Sequence, residues 1–293
     1  MINRSAQSMM LSDGRQLGYA EWGSHDGEFV VLDFHGGPGC RLVPSCVPHE
    51  LDRGVRWITT DRPGLGLSWP QPNRRLVDFV ADVAQLANHL RVDRFYSVGW
   101  SMGGPYAAAC AAVLGDRVRG FALLAPAPIG VQQPGGAELM GKAWAWQLAR
   151  DDPWQMCQIY TALALETRRN PKLAVELFAA GLSVTETELL ARPEVADLFC
   201  DFLEEATRQG AVGVIDDLLV EMQPWGYDAS SITTPGLLWQ GDDDSFITAA
   251  ENQAWADAVP SLTMRILPGE GHLFPLTHTR ELVDALRALR FTS

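Results

Sequence analysis

The chain lacks the features of nucleic-acid-binding, membrane-spanning and exported proteins. Its 23 Lys and Arg residues are outnumbered by 36 Asp and Glu residues, so the formal net charge is -13. Binding to phosphate backbones or anionic lipid surfaces needs positive charge, and we therefore expect no nucleic acid and no membrane partner. No uninterrupted apolar run is long enough to span a bilayer, and residues 1–8 lack the apolar core of a signal peptide.

Cysteine is also scarce and without pattern. The five cysteines are scattered, and none forms a close pair at the spacing of metal ligands. An odd number without framework spacing indicates reduced thiols in a cytoplasmic protein. We expect neither a metal ion nor a cofactor. Internal repeats and low-complexity tracts are missing as well, and 293 residues suffice for one or two domains with a large core.

The most informative stretch runs from Gly99 to Gly103 and reads Gly-Trp-Ser-Met-Gly. Residues 95–98 before it are mostly aromatic or β-branched, which is typical of a short buried strand. The Ala-rich residues 105–114 after it begin with Pro and are followed by Gly115, which indicates a helix. Gly-x-Ser-x-Gly between a strand and a helix predicts a nucleophile elbow centred on Ser101. A Gly/Ser turn without chemistry is the alternative interpretation.

Segments typical of strands and of helices alternate over most of the chain. This alternation predicts a mostly parallel central sheet with helices on both faces, preceded by a hairpin over residues 9–22. It stops between residues 127 and 233, where the patterns are helical and no strand is convincing. We therefore assign residues 1–126 and 234–293 to an α/β core and residues 127–233 to an inserted helical cap.

Three predicted strand ends carry side chains that could react together. Ser101 follows one strand, Asp244 follows a strand that ends at Gln240, and His272 follows the last strand. In a parallel sheet such ends lie at one edge. A serine hydroxyl is a weak nucleophile at neutral pH, and it needs a base to take its proton and a third group to hold that base.

This order of residues resembles the α/β-hydrolase family. The resemblance extends over nearly the whole chain and rests on five motifs: HGGPG at residues 35–39, DRPGLGLS at 61–68, the elbow at 99–103, GDDD at 241–244, and Gly271-His272. The HGGPG loop and the helical insertion point to the group that contains proline iminopeptidases and related esterases. The resemblance implies an α/β-hydrolase fold with a helical cap.

The resemblance also implies a role for each residue of the triad. Ser101 is the expected nucleophile, His272 the general base and then acid, and Asp244 the group that orients the imidazole. Each of these residues has an alternative. Asp242 or Asp243 could be the acid and His278 the base. Ser68 is the other serine that follows nearby glycines, and we interpret it as part of a structural loop.

Backbone N–H groups are expected to stabilise the oxyanion that acyl transfer creates. The N–H of Met102 is one predicted donor, and that of Gly37 in the HGGPG loop is the other. Pro38 has no N–H and cannot serve. Asp61 and Arg62 are interpreted as charges that fix their loop.

We expect a serine hydrolase that cleaves a small or medium carboxylic ester or amide through an acyl-enzyme. An ester is favoured because Met102 stands where iminopeptidases carry Trp. A proline iminopeptidase-like aminopeptidase remains an alternative, as do a non-catalytic small-molecule receptor and a cofactor-free lyase or haloperoxidase. Trp100, Trp144 and Phe246 are the expected pocket residues, and the sequence does not decide the oligomeric state.

Overall fold

A computed structural model describes residues 4–129 and 144–289 of the chain, apart from the side chains of Arg4, Ser5 and Trp144. Its centre is a sheet of eight strands in the order β1-β2-β4-β3-β5-β6-β7-β8. The strands are β1 (Arg4–Met10), β2 (Gln16–Gly23), β3 (Phe29–Phe34), β4 (Val55–Thr60), β5 (Phe95–Trp100), β6 (Val118–Leu124), β7 (Gly236–Gly241) and β8 (Leu262–Leu267).

The sheet is mostly parallel, as the sequence predicts. β1 and β2 form an antiparallel hairpin around the turn that contains Asp13 and Gly14, and β2 also runs antiparallel to β4. The remaining neighbouring strands, from β4 across to β8, are parallel. Inner parallel strands are covered on both faces, which accounts for near-continuous apolar runs such as residues 29–34.

The helices follow the same alternation. They are α1 (Phe79–His89), α2 (Gly104–Leu114), α3 (Trp144–Asp151), α4 (Pro153–Arg169), α5 (Pro171–Ala179), α6 (Val184–Leu190), α7 (Pro193–Ala206), α8 (Val212–Glu221), α9 (Ala249–Ala258) and α10 (Thr279–Ala288). Within the described residues, no helix combines the length and the apolar character needed to cross a bilayer.

Helices cover both faces of the sheet because side chains alternate between two apolar layers along each strand. Leu32 and Phe34 of β3 belong to the layer that contains α1 and α2, whereas Val31 belongs to the layer that contains α10. The amphipathic pattern of α10 buries Leu282 and Leu286 on that side. The predicted arrangement of helices around the sheet is confirmed.

In the described part of the chain between β6 and β7, six helices, α3–α8, follow one another, and we call them the cap helices. Local sequence sets where several of them begin. Asp152 accepts a hydrogen bond from the backbone N–H of Gln155 at the start of α4, and Asn170 caps α5 in the same way. Ser183 and Glu186 form a capping box at the start of α6. The predicted limits of the insertion, residues 127–233, partly fall outside the described residues and stay a prediction.

The strand register brings two loops together at the carboxyl edge of the sheet. Phe34 at the end of β3 pairs with Gly99 of β5, and Trp100 at the end of β5 pairs with Leu124 of β6. The loop that follows β3 and the turn that follows β5 therefore leave the sheet side by side. This register places the HGGPG segment next to Ser101.

The turn between β5 and α2 is held by close backbone contacts. A Cβ on Gly103 would overlap the carbonyl of Phe34, and one on Gly99 would overlap the carbonyl of Gly103. Ser101 between them has a φ of +53°, a conformation that costs a non-glycine residue about 1 kcal/mol or more. Packing around the turn holds Ser101 in that conformation.

We predict that Gly103→Ala lowers the free energy of unfolding by about 3 kcal/mol or prevents folding, because the added methyl meets backbone that cannot move. Gly103 has an ordinary φ of -75°, so backbone strain is not the cause. The matched control is Gly54→Ala on the surface, where the methyl would approach the flexible side chain of Asp52. Urea denaturation of both variants measures the difference, and equal midpoints would contradict the prediction.

Candidate active site

Ser101 lies at the sharp turn between β5 and α2. Its carbonyl accepts a hydrogen bond from the N–H of Ala127 over 2.9 Å, which ties the turn to the segment after β6. The residue is 7% exposed and lines a large cavity under the cap helices. Ser101 therefore borders this cavity while being mostly shielded from bulk water.

Asp244 and His272 form a buried pair beside the same cavity. Nδ1 of His272 donates a hydrogen bond to Oδ2 of Asp244 over 2.8 Å. Oδ1 of Asp244 accepts from two backbone N–H groups of its own turn at 2.9 and 3.0 Å, and Gln240 donates to Oδ2. A proton on Nδ1 leaves the lone pair of the neutral imidazole on Nε2. His272 lines the cavity, and Asp244 lies behind it.

The electrostatics of this pair favour the charged forms of both groups. Burial disfavours the imidazolium, but the charge and hydrogen bond of Asp244 outweigh it and raise the pKa of His272. Burial also disfavours the carboxylate of Asp244, yet His272 and the surrounding donors outweigh it and lower the pKa of that carboxyl. Asp244 is therefore ionised at neutral pH, and it can stabilise an imidazolium that forms on His272.

Three neighbours fix the position of His272. The indole N–H of Trp100 donates to the carbonyl of His272 over 2.9 Å, and the two rings lie 5.9 Å apart. The ring of Phe246 meets the imidazole edge to face at 5.4 Å. From the cap helices, Oε1 of Glu186 accepts a hydrogen bond from the N–H of Leu273 over 2.7 Å. The ring is thus packed against the core, and the backbone next to His272 is held by the cap helices.

The HGGPG loop lies against the serine turn. A Cβ placed on Gly36 would lie 3.3 Å from Cβ of Ser101 and 3.9 Å from its Oγ. A Cβ on Gly37 would overlap the side chain of Met102. Glycine at both positions lets the loop backbone approach the serine closely, as an oxyanion site requires.

The cavity has a volume of about 760 Å³, within the range of small-molecule sites. Its wall comes largely from the cap helices and is mostly apolar. Two threonines in this wall, Thr167 and Thr207, donate their hydroxyls to carbonyls of their own helices. Apolar side chains from four cap helices supply much of the remaining surface: Trp146, Tyr160, Leu163, Phe178 and Leu218.

Asp217 of α8 is the one carboxylate among the described residues that line the cavity. Two buried arginines hold it: Nε of Arg62 donates to Oδ2 over 2.7 Å, and Arg74 donates to Oδ1. Burial disfavours the charge on Asp217, but the two guanidinium groups outweigh it and lower the pKa of the carboxyl. Its negative charge is already compensated within the protein.

The predicted site residues fall into three groups. Trp100 does not line the cavity but packs behind His272. The side chain of Trp144 lies outside the described residues. The other predicted residues surround the cavity, with Asp244 as the hydrogen-bond partner behind its wall: Ser101, Met102, Gly37, Phe246 and His272.

The alternative residues lie elsewhere. Asp242 and Asp243 are exposed, and Asp242 accepts a hydrogen bond from a backbone N–H of the next loop. His278 lies near two surface glutamates at 3.8 and 3.9 Å. Ser68 is buried and donates to the carbonyl of Asp61 over 2.7 Å. None of these four side chains lines the cavity.

Some residues that hold the site were not identified from the sequence. In the sequence, Glu186 is recognisable only as the second residue of a capping box. Asp217 has no feature that distinguishes it from other acidic residues on helices. The partner of Asp217, Arg62, lies 155 positions earlier in the chain. Across residues 4–129 and 144–289, no cluster of three His, Cys, Asp or Glu side chains is placed to hold a metal ion.

The same fold occurs in known proteins. The model of the alpha/beta hydrolase fold family matches residues 30–279. The chain belongs to this family. Membership confirms the expected fold and the expectation of a hydrolytic enzyme.

Relatives within the family include esterases and peptidases. A probable proline iminopeptidase of Leptolyngbya boryana is 26% identical over 87% of this chain and 84% of its own length. A pimeloyl-[acyl-carrier protein] methyl ester esterase of Xanthomonas axonopodis pv. citri is 26% identical over 86% of this chain and 89% of its own. A solved esterase from Thermogutta terrifontis has the same fold, with a TM-score of 0.67, 23% identity, and coverage of 98% and 96% of the two chains.

We predict that Asp244→Asn lowers the pKa of His272 below its ordinary value, because burial then acts without the compensating negative charge. NMR titration of the imidazole Cε1–H measures the change. Asp242→Asn is the matched control, since this neighbour is exposed and should leave the titration of His272 as it is in the wild type. The opposite result, a shift with Asp242→Asn alone, would contradict the pairing.

Proposed function

We propose that the protein hydrolyses neutral carboxylic esters with an apolar acyl group, through a covalent acyl-enzyme on Ser101. The main support is that Ser101 and His272 line one largely apolar cavity while Asp244 binds the far nitrogen of His272. Serine catalysis needs a nucleophile, a base and a group that orients the base, and this arrangement supports those three roles for Ser101, His272 and Asp244. Membership of a hydrolase family and the motif order support the same proposal.

In the first half of the reaction, Oγ of Ser101 attacks the ester carbonyl carbon while Nε2 of His272 takes the hydroxyl proton. The carbonyl π electrons move onto oxygen, where the N–H groups of Met102 and Gly37 stabilise the negative charge by about 3 kcal/mol each. The C–O bond to the alcohol then breaks, and His272 gives its proton to the leaving oxygen. The acyl group remains on Ser101, and Asp244 stabilises the imidazolium in between.

Water completes the second half of the reaction. Nε2 of His272 takes a proton from a water molecule as the water oxygen attacks the acyl carbon. The same oxyanion donors act again, the bond to Ser101 breaks, and His272 returns the proton to the serine oxygen. The carboxylic acid leaves and the enzyme is restored.

The composition of the cavity supports an apolar acyl group. Each methylene that moves from water into an apolar cavity contributes about 0.8 kcal/mol. The wall offers many such contacts, for example with Leu163 and Phe178. We therefore expect kcat/KM to rise with acyl chain length until the cavity is filled.

The described part of this wall argues against an aminopeptidase, which would need a carboxylate to bind the substrate ammonium. Asp217 is already paired with two arginines. Glu221 is fully buried beside Trp146, and burial raises its pKa to about 8, so it is mostly neutral at pH 7. Four glutamates of the cap helices would be candidates for this role, and none of them lines the cavity: Glu166, Glu204, Glu205 and Glu221.

Our first test of the mechanism is Ser101→Ala, which removes the nucleophile and should lower kcat for p-nitrophenyl butyrate by more than about 10⁴-fold. A fluorophosphonate should modify Ser101 and no other serine, as read by peptide mass spectrometry. Ser230→Ala, at an exposed serine, is the control and should keep wild-type activity. Modification of Ser68 would contradict the assignment, and tight binding of esters without turnover would favour a receptor.

A second test concerns the acyl site. Ala164→Phe adds volume inside the cavity and should lower kcat/KM for p-nitrophenyl octanoate about tenfold or more while changing the acetate value little. The neighbouring Leu165→Phe is the control, because Leu165 is 53% exposed on the same helix. Equal losses for both esters would show that the acyl group does not occupy this part of the cavity.

A further inference from the structure

Arg62 contacts the backbone of the HGGPG loop from the side away from solvent. Its Nη1 donates to the carbonyl of His35 over 2.5 Å, and its Nη2 donates to the carbonyl of Gly36 over 3.1 Å. The residue is fully buried, and its guanidinium carbon lies 5.0 Å from the centre of the Tyr106 ring. The planar fork of an arginine can hold two successive carbonyls in one fixed orientation.

The carbonyl of Gly36 belongs to the same peptide unit as the N–H of Gly37. A peptide unit is planar, and in its trans form the C=O and the N–H point in opposite directions. Arg62 binds the oxygen end of this unit, and Gly36 lies next to Ser101. Rotation of this peptide unit would break the hydrogen bond from Arg62. It would also turn the N–H of Gly37 away from the direction in which it points while Arg62 holds the peptide.

A second donor acts on the same oxygen. Nδ1 of His35 lies 2.7 Å from the carbonyl of Gly36. Burial and the neighbouring charge of Arg62 lower the pKa of His35 to about 3, so the ring is neutral and Nδ1–H is the donor. Arg62 supplies the charged and therefore the stronger of the two hydrogen bonds.

The third contact of Arg62 leads into the cap helices. Its Nε donates to Asp217 of α8, and the other oxygen of Asp217 accepts from Arg74. Asp217 also lines the cavity, so one side chain touches both the substrate space and the arginine that holds the loop. All three ion-pair partners are buried, where such contacts are weakly screened.

We propose that Arg62 is a positioning residue that sets the orientation of the Gly36–Gly37 peptide, and that Asp217 couples this orientation to the cap. The proposal rests on the proposed function, because the Gly37 N–H matters only where an oxyanion forms. It goes beyond that function in naming the side chain on which half of the oxyanion site depends. Loss of Arg62 should therefore weaken transition-state binding more than substrate binding.

The test uses Arg62→Gln and Arg62→Lys in the full-length chain. We expect Arg62→Gln to lower kcat for p-nitrophenyl butyrate about 100-fold with KM within about threefold of the wild type. The inhibition constant of an alkyl trifluoromethyl ketone, whose serine adduct carries an oxyanion, should rise by about the same factor as kcat falls. The inhibition constant of the corresponding alcohol, which forms no oxyanion, should stay within about threefold of the wild-type value. Arg62→Lys, which keeps the charge beside Asp217, should recover part of the loss.

Arg41→Lys is the matched control. Arg41 is also buried and also ties the cap to the core, through Asp61 and Glu205 of α7. Its replacement should lower the melting temperature while leaving the ketone inhibition constant unchanged. If Arg41→Lys and Arg62→Lys weaken ketone binding equally, the loss comes from weaker attachment of the cap helices to the core, and the proposal is wrong.

Further outcomes separate this proposal from the proposed function. A wild-type protein that neither hydrolyses esters nor binds the ketone would contradict the function, and this inference with it. An active wild type whose Arg62 variants fold and bind the ketone as tightly would overturn the positioning role alone. Asp217→Asn should raise the inhibition constant of the ketone about tenfold. An unchanged inhibition constant would show that Asp217 does not couple the loop to the cap helices.

Discussion

The close passage of the serine turn beneath the end of β3 is the constraint on which the rest of the site depends. Gly103 fits against the carbonyl of Phe34 with no room for a side chain, and the residues that continue from Phe34 form the HGGPG loop. One steric contact therefore sets both the conformation of Ser101 and its distance from the loop. Ser101, the proposed nucleophile, and the proposed oxyanion donors lie together because two neighbouring strands end at the same level.

The cap does more than cover the cavity, because two of its carboxylates reach into the core. Glu186 binds the backbone next to His272, and Asp217 binds Arg62 beneath the HGGPG loop. Buried charges of this kind add little net stability, since desolvation offsets much of the attraction. Their value lies in orientation: each fixes a loop that carries one part of the proposed chemistry. The apolar wall and the reactive loops are thus held by the same helices.

The comparison of sequence and structure shows where local patterns suffice. Alternating segments predicted the sheet and the helices on both faces, and helix caps such as Asp152 and Ser183 mark their starts in the sequence. Motifs singled out Ser101 and His272, which meet at one cavity. Trp100, one of the expected pocket residues, packs behind His272, because residue type alone does not say which way a side chain on a strand end faces.

The sequence by itself determined the order of elements and the turn around Ser101, and it singled out the side chains of the proposed chemistry, because each depends on neighbours within a few positions. Tertiary structure alone decided which partners the cap carboxylates bind. Asp217 and Glu186 look like surface residues in the sequence, yet packing of the cap brings them to Arg62 and to the N–H of Leu273. Contacts between residues so far apart follow from how whole helices pack on the sheet, and no local pattern encodes them.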